Sequence, residues 1–207
     1  MITVKINKKI KTYKGNSKLS VDAVFPMGTI TKVYGPSGAG KTTFLKIIAG
    51  LVTPEEGMIK AGDEFWLDTD TKINWKPQQR RVGFVFQDFA LFPNMTVIEH
   101  LKYATEDQQL INRLLVMGKM ESFTDHRPRH LSGGQQQRLA ILRALALKPT
   151  LLLMDEAFSA LDDELRESLI IDIKILLQEF GTTTIIVSHH AQETAAFADR
   201  ELKIELE

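Results

Sequence analysis

The chain has 207 residues, enough for one α/β domain with a small inserted subdomain. Lysine plus arginine and aspartate plus glutamate each total 26, so the formal net charge is zero, which argues against bulk capture of nucleic acid by a basic face. There is no cysteine, which excludes disulfides, zinc–thiolate sites and thiol catalysis, and no apolar run approaches the ~20 residues that span a bilayer.

The first fourteen residues alternate apolar and basic side chains without the apolar core of a secretory leader. Ile2, Val4 and Ile6 read as a half-buried strand, Lys14-Gly15-Asn16-Ser17 as a turn, and Leu19, Val21 and Ala23 as a second strand. Residues 29–34 form a short β-rich run before a glycine-rich loop. Phe44, Leu45, Ile47 and Ile48 then follow at helical spacing until Gly50. Residues 57–70 read as a β hairpin and 82–86 as a short apolar strand.

The stretch from 87 to 137 is more polar, with helices expected over 96–104 and 106–117 and a loop over 126–131, and reads as a helical insertion. Beyond it come a helix (138–146), a buried strand (151–154) and an amphipathic helix (162–180) closed by Gly181. A β-branched strand (182–187), a helix (191–198) and a last strand (201–205) complete the chain. Strands alternating with helices predict an α/β fold with a mainly parallel sheet covered on both faces.

Gly35-Pro36-Ser37-Gly38-Ala39-Gly40-Lys41-Thr42 fits G-x-x-x-x-G-K-[ST] without a mismatch. Glycines let the backbone turn its N–H groups inward, and the following helix directs its positive end to the same place. Lys41 can then reach β- and γ-phosphates, and the Thr42 hydroxyl can bind Mg²⁺; Thr43 extends the same turn. A glycine-rich turn before a helix is the plain alternative, and the strand–loop–helix context weighs against it.

Leu151-Leu152-Leu153-Met154-Asp155-Glu156 is an apolar strand ending in two acids. Carboxylates there are costly unless paired or metal-bound, and in a parallel sheet this end forms the ligand crevice. Asp155 suits a Mg²⁺ shell, and Glu156 suits a general base that polarises water.

Leu131-Ser132-Gly133-Gly134-Gln135 matches the ABC signature letter for letter, and Gln136-Gln137-Arg138 continues it. Other residues fall in the same family order: Gln87 resembles the Q-loop glutamine, Asp155 and Glu156 the Walker B pair, Ser159-Ala160-Leu161-Asp162 the D-loop, and His189 the switch histidine. The chain therefore resembles the ATP-binding subunits of ABC transporters over nearly its whole length.

That resemblance implies a P-loop NTPase (RecA-like) core comprising 1–87 and 138–207, with an N-terminal antiparallel β subdomain and an inserted α-helical signature subdomain at 88–137. It also implies ATP and Mg²⁺ as cofactors and a head-to-tail homodimer. In that dimer Ser132, Gly133, Gly134 and Gln135 face the partner's γ-phosphate, an anion site at a helix N-terminus that has no obvious ligand within one subunit. Gln87 would sense Mg²⁺ and the attacking water, and His189 would contact the γ-phosphate. Tyr13 stands near where the family stacks an aromatic on adenine; covering the sheet edge is its other reading. Ala157 replaces a frequent proline. A C-terminal regulatory domain is not expected.

Residues 79–88 and 90–97 resemble importer ATPases, nearest those for molybdate and related oxyanions, with sugar, polyamine and sulfate relatives close. The implied partners are integral-membrane permease subunits with a substrate-binding protein, and the implied location is cytoplasmic, on the inner face of the membrane. Residues 89–95 are expected to line the groove for the permease. The alternative is a soluble ABC ATPase without a transport role, although such proteins usually carry paired cassettes, long coiled-coil insertions or basic extensions. Gln78, Gln79, Arg80, Arg81 and His190 read as solvated surface.

Overall fold

A computed structural model describes residues 1–12, 15–188 and 197–206. The chain first builds an antiparallel sheet. β1 (Ile2–Thr12) pairs with β2 (Gly15–Phe25) from Ile2↔Phe25 to Thr12↔Gly15, and on its other side with β4 (Glu56–Ala61). β5 (Glu64–Asp68) and the two-residue β6 (Ile73–Asn74) extend it, giving the order β2-β1-β4-β5-β6. Gly15, Asn16 and Ser17, expected in a turn, lie on β2 instead, because the pairing runs to Gly15.

The second sheet is wholly parallel, in the order β10-β3-β9-β8-β7. Its members are β3 (Ile30–Tyr34), β7 (Val82–Val85), β8 (Leu151–Asp155), β9 (Thr183–Val187) and β10 (Arg200–Lys203). Every residue of β8 and β9 is buried, as expected for central strands covered on both faces. The period of two sorts their side chains between two cores. Leu151, Leu153, Ile185 and Val187 join α1 (Lys41–Ile48) and the first sheet. Leu152, Met154 and Ile186 join α4 (Gly133–Ala146) and α5 (Asp163–Phe180), together with α2 (Val97–Ala104) and α3 (Gln108–Met117).

Local chemistry sets the helix ends. Thr96 and Glu99 form a reciprocal capping box at α2, and Asp107 caps α3 through the Leu110 amide at 3.0 Å. Asp162 caps α5 through the Leu165 amide at 3.0 Å, and Gly181 closes that helix in the left-handed conformation. α4 starts earlier than apolar periodicity suggests, at Gly133 rather than in the 135–138 region, because Ser132 and Gln135 make a second capping box. The helix thus runs unbroken across residues 137 and 138. The helix expected over 191–198 falls almost entirely outside the described residues.

Arg80 corrects the reading of a solvated basic turn. It is 1% exposed and donates to the carbonyls of Ile47, Ile48, Trp66 and Trp75 and to Asn74 Oδ1. Burial pulls its pKa down to about 10, so it stays charged at neutral pH. Its neighbour Arg81 is exposed, as expected. Among the described residues, no helix is long and apolar enough to cross a membrane.

Candidate functional site

In a parallel sheet all carboxyl ends share one edge, and the chemistry-bearing segments meet there. The glycine-rich loop follows β3, Asp155 ends β8, Gln87 lies in the turn after β7, and β9 arrives between β3 and β8 with buried Ser188. His189 comes next, but it and Tyr13 lie outside the described residues.

The loop enters α1 through Gly40, which stands at φ 85 as the N-cap, a conformation that glycine adopts without strain. Pro36, Ser37 and Gly38 are exposed, while Ala39 is buried beneath them. Lys41 opens the helix, is 5% exposed, and donates through Nζ to the carbonyls of Gly35 and Pro36, each at 2.9 Å. Burial lowers its pKa, and the charges of Glu156 and Asp155 oppose that shift. The two acids read from the sequence therefore face the loop lysine, although more than 110 residues separate them along the chain. Thr42 and Thr43 follow in the first turn of α1, both half-buried.

Asp155 is 2% exposed at the end of β8. Glu156, half-buried, takes φ 53, a left-handed conformation that costs an ordinary residue about 1 kcal/mol or more. Its N–H donates to the Val187 carbonyl at 3.0 Å. Its own carbonyl accepts from Gln137 Nε2 at 3.0 Å, Ser159 Oγ at 2.9 Å and the Ser159 N–H at 3.2 Å. The buried Asp155 carboxylate and the Thr42 hydroxyl are oxygen donors of the kind that suits a hard cation. Among the described residues, no cluster of three or more His, Asp or Glu side chains forms a rival metal cage.

The signature residues sit elsewhere on the surface, at the start of α4. Ser132 and Gly133 are exposed and Gly134 half-buried. The Gln135 side chain is engaged locally, its Oε1 accepting from the Ser132 N–H at 2.7 Å.

Three polar residues to which the sequence assigned no role of their own support the backbone around Gln87 and Glu156. Gln137 reaches the Glu156 carbonyl from α4. Arg143 donates to the carbonyls of Ala90 (2.7 Å) and Phe89 (3.2 Å), two residues held at φ 46 and φ 64 just after Gln87. His100, fully buried, accepts the Phe92 N–H at Nε2 (3.0 Å) while Nδ1 meets the Thr96 carbonyl (2.7 Å). For Gln137 a signal existed: with the helix begun at 133, it joins Ala140, Ile141 and Ala144 on the buried stripe. Arg143 and His100 partner a non-periodic loop, for which no local pattern exists.

Comparison with known proteins matches residues 19–159 to the family model described as ABC transporter. The chain is 39% identical over 202 residues to the sulfate/thiosulfate import ATP-binding protein of Mesostigma viride, covering 94% of this chain and 56% of that one. It is 36% identical over 205 residues to the molybdenum import ATP-binding protein of Photobacterium profundum, covering 98% and 56%. The chain thus spans little more than half the length of each. Among solved structures, a dimeric ATP-binding cassette in a post-hydrolysis state, bound to ADP and Pi, superposes with a TM-score of 0.83 at 32% identity, covering 99% of this chain and 94% of that one.

Proposed function

The chain belongs to the ABC transporter family, and from that membership we propose that it binds and hydrolyses ATP as a head-to-tail homodimer that energises a separate membrane permease. The observation that carries the reading is the convergence of Asp155 and Glu156 on Lys41 at the N-terminus of α1. A phosphate-binding loop and a carboxylate pair have independent origins in the chain, and hydrolysis of a bound phosphoanhydride needs both.

In this reading the amides of the loop from Gly35, Pro36, Ser37, Gly38, Ala39 and Gly40, with Lys41 and the Thr42–Thr43 turn, hold the phosphates. Lys41 exchanges its two carbonyl partners for phosphate oxygens, which offsets its desolvation. Thr42, Asp155 and Gln87 would hold Mg²⁺, which neutralises charge on the phosphate oxygens. Glu156 polarises the attacking water, His189 contacts the γ-phosphate, and Tyr13 stacks on adenine. Ser132, Gly133 and Gly134 serve the partner subunit's nucleotide, with Gln135 holding that turn in shape. The catalytic core comprises 1–87 and 138–207, with 88–137 as the helical insertion.

The segment after Gln87 is the surface we assign to the permease. Phe92 (39% exposed) packs on His100 and Tyr103 and lies under Arg143, so an apolar face is presented on a firmly held backbone. The chain would then work in the cytoplasm on the inner face of the membrane, with a substrate-binding protein completing an importer. The relatives are named for sulfate/thiosulfate, molybdenum and spermidine/putrescine import, so the cargo we propose, an oxyanion such as molybdate, rests on the resemblance of residues 79–97 and has polyamines as its rival.

Glu156→Gln tests the chemistry. Phosphate release is expected to fall about 10²- to 10⁴-fold, with ATP-bound dimers accumulating on size-exclusion chromatography. Wild-type turnover in this variant would exclude Glu156 as the base.

A further inference from the structure

We propose that Gln137 is a positioning residue that fixes the backbone of Glu156 and joins it rigidly to the signature turn of the same chain, an inference resting on the reading of Glu156 as general base. Gln137 is 1% exposed and spends both ends of its amide on one turn. Nε2 donates to the Glu156 carbonyl at 3.0 Å, and Oε1 accepts the Ala160 N–H at 2.7 Å. The partners settle which end is which, since a carbonyl requires the NH₂ group and an N–H requires the oxygen.

Glu156 is where such a clamp matters. At φ 53 it occupies a conformation that an unrestrained glutamate leaves for the ordinary helical or extended regions. Its N–H is anchored to Val187 at the end of β9, which constrains rotation on one side of Cα. Its carbonyl is anchored to Gln137 and Ser159, which constrains the other. With both peptide planes held, the Cα–Cβ bond has one direction, which narrows the positions that the rotamers of Glu156 can bring its carboxylate to. Removing Gln137 leaves Ser159, a neighbour in the same turn that moves with it, and so releases the only side-chain anchor from α4 described at this carbonyl.

The same helix face makes a second contact. A Cβ on Gly134 would lie 3.1 Å from the Ala160 carbonyl, so the first turn of α4 rests directly on the backbone that Gln137 grips. Ser132, Gly133, Gly134 and Gln137 therefore move with Glu156 and Ala160 as one body. A shift of the signature turn against the partner subunit's nucleotide is passed through Gln137 to the carboxylate serving the chain's own nucleotide.

Two variants test this in the full chain, by steady-state ATPase and by binding of a fluorescent ATP analogue to the same samples. Gln137→Leu keeps the bulk and loses both hydrogen bonds. Its kcat is expected to fall about 10- to 100-fold, with nucleotide affinity changed less than about twofold. Wild-type kcat, or an equal loss of binding, overturns the proposal. Gln137→Glu keeps the shape, but only its protonated form can donate to the Glu156 carbonyl. Its kcat relative to wild type is expected to recover as pH is lowered from about 8 to about 6, because burial beside a carbonyl raises the carboxyl pKa. A ratio that does not rise between about pH 8 and about pH 6 overturns the proposal, and this series decides alone if Gln137→Leu does not fold. Failure of the base assignment is separately visible: Glu156→Gln would then turn over normally, whatever Gln137 does.

Discussion

His100 has both ring nitrogens committed, one accepting the Phe92 N–H and one meeting the Thr96 carbonyl, so the buried ring must be neutral. Its pKa is lowered, by burial first and then by Arg143, against the opposing Thr96 carbonyl and Glu99. The sign follows. Above the unfolded value of 6.5 neither state is protonated and nothing is lost. Below it the unfolded chain takes up a proton that the native ring refuses, so stability declines on acidification, by at most about 1.4 kcal/mol per pH unit. His100→Gln, which can still donate and accept, should lose less. Urea midpoints measured on either side of pH 6.5 should show the gap between wild type and variant narrowing in acid; a constant gap would mean that His100 does not titrate. At this scale legibility was uneven. Lys41, Asp155 and Glu156 announce themselves because a motif fixes their neighbours. Arg80 and Arg81 are indistinguishable as letters, and only the 3-10 turn Pro77–Gln79 sends one inward and the other to solvent.

Among the elements, α1 shows how one helix is built from distant parts. Its N-terminus emerges from the glycine-rich loop, and its last carbonyls, Ile47 and Ile48, are met by the Arg80 guanidinium at 2.9 and 2.8 Å. A cation at a helix C-terminus complements the macrodipole and satisfies carbonyls that would otherwise be buried unpaired. Arg80→Leu should therefore cost about 3 kcal/mol or more of stability, read as a fall in the denaturation midpoint. A loss within about 0.5 kcal/mol, the range of ordinary surface substitutions, would contradict this account. Strands with strong β-branched or aliphatic runs, such as β8 and β9, and the capped helix α5 were readable close to their true bounds. Apolar periodicity places the start of α4 a few residues late, because its two glycines carry no side chain to show a period. The Ser132-x-x-Gln135 box was the available signal, and apolar periodicity passes over it. β6, two residues long, leaves no period to detect.

For the whole molecule, the proposed head-to-tail pairing makes each site a composite of two chains, and complementation can test it. Lys41→Ala removes a chain's own phosphate contact, and Ser132→Arg spoils what it offers its partner. Each homodimer should be inactive. Mixed in equal amounts, half the dimers are heterodimers in which one site carries both defects and the other neither, so turnover should return to about a quarter of wild type. A mixture as inactive as its parents would count against sites shared between subunits. The overall architecture was legible because βα alternation prescribes a parallel sheet with its chemistry at one edge. The meeting of Lys41 with Glu156 needed the strand order, which no local pattern encodes.

The two cores on opposite faces of β8 and β9 have one more consequence. The interior of these strands carries no charge before Asp155, and close-packed apolar side chains flank both sides. Together they act as an insulating septum between the layer holding α1 and the layer holding α4. Such a wall holds almost no mobile dipole to screen a field, so a change of charge at its rim, where Asp155 and Glu156 stand, is felt across it more strongly than the same change would be through water.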